Sequence, residues 1–182
     1  MALKFTTSYL EDAIGVFQYY KRLADGAMCQ LTDEQVFAAL DPEMNSIAII
    51  VKHLSGNMVS RWTDFLRSDG EKPTRNRDQE FEDAPTTRDA VMECWERGWQ
   101  VLFGALEGLT ASDLERVVTI RGEAHSVMQA INRQMAHYPY HCGQIVFLAK
   151  HLRSSEWKSL SVPRKGSEEF NRMVAAGMAS QR

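Results

Sequence analysis

Apolar residues recur at helical spacing over four long windows, and no other feature of the chain limits its fold as tightly. The first window spans residues 8–28 and puts Leu10, Ala13, Ile14, Phe17, Tyr20, Ala24 and Met28 on one side. The second opens at Asn45 or Ser46, both good helix caps, and carries Ile47, Ile50, Val51, Leu54, Met58, Trp62 and Phe65 to a stop near Asp69-Gly70. The third opens at Thr86 or Thr87 and carries Val91, Trp95, Leu102, Ala105, Leu106 and Leu109. The fourth opens at Ser126, with Gln129 at capping-box spacing, and carries Val127, Ile131, Met135, Ile145, Leu148, Ala149 and Leu152.

The connections complete the architecture. Thr32 and Gln35 predict a short helical turn that Asp41-Pro42 ends. Residues 68–85 are polar, carry both charges and contain Pro73 and Pro85. Helix connections in bundles usually take roughly 2–8 residues, so this one reads as a long crossover. The β-branched run Val117-Val118-Thr119-Ile120 predicts a short extended piece, and Ser167 opens one short helix in the tail. The expected fold is all-α: one domain over residues 1–182, a four-helix bundle in residues 5–153, and a C-terminal extension in 154–182.

Composition narrows the function. The chain has 182 residues and a net charge of -3, which gives no electrostatic reason to expect nucleic acid or an anionic membrane as partner. No apolar run approaches the ~18–20 residues of a membrane span. The first residues lack the basic and apolar regions of a signal peptide. Three scattered cysteines, Cys29, Cys94 and Cys142, argue against a disulfide framework, and a reducing cytoplasm is the expected location.

The chemistry concentrates in His137-Tyr138-Pro139-Tyr140-His141. Residues four apart share a helix face, and two imidazoles so placed can bind one divalent ion. Two core-edge histidines satisfied by ordinary hydrogen bonds would show the same spacing. Pro139 either kinks the fourth helix or moves its start to Tyr138. His53, beside Ile50 and Leu54, faces the interior or its margin; a buried imidazole needs a partner, which makes it the best third ligand. Three histidines leave a fourth position open, as catalytic zinc sites do. Gln144 lies on the face of His141 and can orient a water or the imidazole, or simply contact backbone. His125 reads as a turn residue before the fourth helix and His151 as a dipole-complementing residue at its end. Cys142 should point away as a buried, inert thiol. Trp95 and Trp99 read as core, and the crossover charges as a solvated loop.

An early helix, a lone histidine in the second, and the segment His137-Tyr-Pro-Tyr-His141-Cys-Gly143-Gln144-Ile145 together resemble the DinB/YfiT-like superfamily of metal-binding bundles. The stretches Lys52-His53-Leu54-Ser55-Gly56-Asn57-Met58, Arg61-Trp62-Thr63-Asp64-Phe65, Gly70-Glu71-Lys72-Pro73 and Ala130-Ile131-Asn132-Arg133-Gln134 resemble an uncharacterised branch of it. The resemblance covers nearly the whole chain. It implies an up-down-down-up bundle, a divalent ion such as zinc or nickel on His53, His137 and His141, and a homodimer. It also implies a small-molecule substrate and a low-molecular-weight thiol cosubstrate, as in thiol-dependent transferases and isomerases. Pro139 departs from the helix-compatible segment usual between the two histidines.

Two functions follow as expectations. One is a metal-dependent enzyme, a thiol-dependent S-transferase or a related transferase or hydrolase, for which no general base can be named. The other is a non-catalytic, metal-stabilised bundle acting as a binding or stress-response protein.

Overall fold

Each long window forms a helix, and each opens on the cap its sequence offers. The computed structural model describes residues 6–180; residue 5, the expected start of the bundle, and the last two residues of the extension lie outside that span. The helices are α1 (Tyr9–Met28), α2 (Asp33–Phe37), α3 (Ile47–Trp62), α4 (Arg88–Glu107), α5 (Val127–Arg153) and α6 (Ser167–Ala175). Ser8, Ser46, Thr87 and Ser126 accept from the third backbone N–H of α1, α3, α4 and α5. Thr32–Gln35 and Ser126–Gln129 close reciprocal capping boxes. The protein is mostly helical, with one small two-stranded sheet.

Helix α3 packs chiefly on α4, and α1 on α5. Tyr9, at the start of α1, donates to Asn132 near the start of α5 at 2.7 Å. Beyond the far end of α1, Gln30 exchanges two hydrogen bonds with the backbone of Lys158. Lys21 and Asp25 of α1 meet Glu96 and Trp95 of α4. Between α3 and α5, Trp62 Nε1 donates to the Tyr138 hydroxyl at 3.0 Å, which donates to Asn57 Oδ1 at 2.9 Å. Trp95, Trp99, Tyr138 and Phe17 are fully buried, so the aromatic residues of both helix pairs meet in the centre.

Three expectations need correction. Helix α3 ends at Trp62 rather than near Asp69. Thr63 is extended and Asp64 left-handed (φ 48), and the chain folds back so that Ser60 Oγ donates to Gly70 O and accepts from Lys72 N. Phe65 is buried against Trp62, the two rings tilted at 53°, and not by helical register. His125 is not in a turn: the expected extended run is β1 (Val117–Ile120), and it pairs antiparallel with β2 (Glu123–Ser126), which puts His125 on a strand opposite Val118. Arg121 and Gly122 form its two-residue turn with positive φ (55 and 77), the backbone that keeps the twist of a tight hairpin. Of the two readings of Pro139, the later helix start at Tyr138 is overturned: α5 opens at Val127 and runs through Pro139 for 27 residues.

Tyr138→Phe should cost about 1–3 kcal/mol in urea denaturation, because Trp62 and Asn57 each lose a buried partner. An unchanged midpoint would contradict the α3–α5 link.

Candidate metal centre

Helix α5 brings His137 and His141 to one face, as their spacing requires, and α3 brings His53 against them. One nitrogen from each ring lies within 4.8 Å of the other two. His53 Nε2 and His137 Nε2 are 3.4 Å apart. Two imidazole nitrogens bound to a tetrahedral zinc at ~2.0–2.1 Å would sit about 3.3–3.4 Å apart, so that pair fits an ion as it stands. The third ring is within side-chain reach. Among the described residues this is the one cluster of three His, Cys, Asp or Glu groups close enough to hold an ion.

Two of the three rings have a second nitrogen held by a side chain, as ligating histidines usually do. His53 Nδ1 contacts Glu80 Oε2 at 2.9 Å, and a carboxylate only accepts, so Nδ1 carries a proton and Nε2 is the nitrogen turned toward His137. Both Glu80 oxygens also accept from Arg75, at 2.8 Å each. Burial pushes the Glu80 carboxyl up, but its bonds to His53 and Arg75 and the Arg75 charge outweigh that and hold it below the usual range. His141 Nδ1 meets Gln144 Oε1 at 2.7 Å, so Gln144 orients the imidazole, and its amide nitrogen donates to Tyr140. Phe81 lies against the His53 ring at 4.6 Å.

Glu80, Arg75 and Phe81 belong to the crossover that reads as a solvated loop in sequence. That reading fails here. Residues Asp78–Phe81 form a short 3₁₀ turn packed on α3, and Glu80 is 6% exposed. Gly56 makes room for it, since a Cβ there would overlap Glu80 Oε1. A polar stretch with two prolines hides such a packing; the unpaired buried His53 and the glycine three residues after it were the available signals.

Burial, with the charges of His141 and His53 adding to it, lowers the His137 imidazole to about 3. Burial also lowers His141. Both rings are therefore neutral at pH 7, the form that ligates metal. Cys142 is fully buried, its thiol pushed up to about 12 by burial, and has no thiolate character. His125 bonds to the Glu123 carbonyl and His151 is exposed at the end of α5, both apart from the cluster. The three histidines open onto a cavity of about 630 Å³, within the usual range for small-molecule sites.

Comparison with known families matches residues 4–166 to the family described as a protein of unknown function, DUF1572. No curated protein matches the chain.

Glu80→Gln or Gly56→Ala should weaken zinc affinity by about 10–100-fold in competition with a chromophoric chelator, because each disturbs the acceptor that orients His53. Equal affinity in both variants would remove Glu80 from the site. The pH response has a defined sign. The folded-state pKa of His137 and His141 lies below the unfolded value of 6.5, so the unfolded chain takes up protons first. That contribution to stability is complete above pH 6.5 and is lost as pH falls toward about 3. The metal-free protein should show a falling urea midpoint over this window, and His137→Gln should flatten the fall; identical slopes would contradict it.

Proposed function

We propose that this chain, which belongs to the DUF1572 family, is a divalent-metal enzyme of the DinB-like superfamily, acting as a thiol-dependent S-transferase or a related transferase or hydrolase. The observation that carries the reading is a three-imidazole cluster, two of its rings braced from behind, that faces a cavity. We read the long helices as an up-down-down-up bundle. This is supported by the contacts of Tyr9 with Asn132 and Gln30 with Lys158, by the opposed order in which Lys21 and Asp25 of α1 meet Glu96 and Trp95 of α4, and by His53 in the first half of α3 meeting His141 while Trp62 at its end meets Tyr138.

A zinc or nickel ion on His53, His137 and His141 would supply Lewis acidity that favours the deprotonated form of a thiol or water at neutral pH. Glu80 holds the proton of His53 on Nδ1, and Gln144 does the same for His141. Tyr138, hydrogen-bonded between Trp62 and Asn57, keeps α3 and α5 at the separation the cluster needs. The expected setting is the cytoplasm, with a small-molecule substrate, a low-molecular-weight thiol and a homodimer. The exposed Tyr140 and Phe147 side chains on α5 offer that dimer an apolar face.

One observation favours the second reading, a metal-stabilised bundle that binds rather than catalyses. Glu80, the buried carboxylate beside the histidines, is taken up by Arg75 and His53 and is not free to act as a base. The two readings separate in one assay. Zinc- or nickel-loaded protein is given glutathione or cysteine with 1-chloro-2,4-dinitrobenzene, beside His141→Ala. The enzyme reading predicts thiol consumption that His141→Ala loses. Equal rates, with chelation still lowering the melting temperature, would leave the binding reading.

A further inference from the structure

The cavity in front of the histidines has an unusual charge. Five arginines line it, Arg61, Arg75, Arg77, Arg121 and Arg133, and no aspartate or glutamate does. They arrive from α3, the crossover, the hairpin turn and α5, so no single run of basic sequence produces the convergence.

Their partners are too few. Glu71 is shared by Arg61, Arg75 and Arg121 at 3.5, 3.2 and 3.2 Å. Glu80 is taken by Arg75 and His53. Arg77 pairs with Asp78 at 3.7 Å. Arg133, exposed on α5 one turn before His137, has no acidic partner among the described residues. Arg61 is 3% exposed, yet its Nε and Nη1 have no hydrogen-bond partner among the described residues. Gln134, 1% exposed and lining the same cavity, leaves its Oε1 unpartnered. Burying a guanidinium with one long ion pair is costly, and burial indeed lowers the Arg61 pKa. A fixed positive potential in a concave site attracts anions. A divalent ion on the histidines would add to it.

We propose that the ligand of this cavity is a small molecule bearing an oxyanion, a carboxylate or a phosphate, gripped by Arg133 and Arg121 at the rim, above the buried charge of Arg61. A guanidinium presents paired donors that match either group in two parallel hydrogen bonds, and an ammonium does not. The inference names the substrate class of the site proposed above and so rests on that reading.

The test uses calorimetric titration of the full chain, metal-free and zinc-loaded, with succinate, with inorganic phosphate and with neutral succinamide. Succinate, phosphate or both should bind the metal-free protein while succinamide does not; which anion binds more tightly identifies the source. Arg133→Gln should weaken that binding about tenfold or more, and Arg133→Lys should restore only part, because charge returns without the fork. Melting curves for each variant check the fold, which an exposed α5 side chain should leave intact. Succinamide binding as tightly as both anions, no anion binding at all, or anion binding indifferent to Arg133→Gln would overturn the inference. Zinc titration in the same samples separates the failures: a missing zinc site with Arg133-dependent anion binding overturns the metal reading alone.

Discussion

The Glu80 carboxylate, held between His53 and Arg75, is the contact on which the rest of the site depends. It fixes the His53 proton on the side away from the other two histidines and supplies the acceptor a buried imidazole needs. It also ties the crossover to α3, because Arg75 and Glu80 are both nearly buried there. Breaking such a pair from one side leaves an uncompensated charge and costs about 3–5 kcal/mol in comparable buried pairs. Gly56 is the local condition for it, since any larger residue would push the carboxylate off the helix.

The crossover is anchored at its other end as well. The Asp69 carboxylate accepts from the backbone of Glu71, Arg121 and Gly122, joining the crossover to the hairpin tip. Those bonds, the backbone bond to Glu71 foremost, hold Asp69 below its ordinary pKa. Gly70 N donates to Thr119 O at 2.8 Å, which adds the crossover to the edge of β1. Through these contacts Arg75, Arg77 and Arg121 reach the cavity that Arg61 and Arg133 also line. The histidine cluster and the basic cavity lining are thus products of one frame.

The long helices were readable because caps and apolar periodicity agree at Ser8, Ser46, Thr87 and Ser126. The histidine cluster was readable because His137 and His141 share a turn and His53 sits in an apolar stretch. Three things were not. Glu123–Ser126 is a strand only because β1 pairs with it, and its own residues carry little strand preference. The end of α3 depends on Ser60 reaching Gly70 and Lys72, a contact across the turn that apolar spacing cannot show. The crossover looked solvated because its charges are written singly in sequence, whereas in the fold Arg75, Glu71 and Glu80 satisfy one another. Pro139 was the reverse case: α5 continues through it, held by packing on both sides.

Everything rests on three imidazoles meeting at one ion. Zinc-edge X-ray absorption on protein loaded with one equivalent of zinc and freed of any affinity tag measures that directly. The account predicts three imidazole nitrogens at ~2.0–2.1 Å with one further light ligand, and loss of an imidazole shell in His53→Ala. A spectrum of hydrated zinc, or one that His53→Ala leaves unchanged, would contradict it.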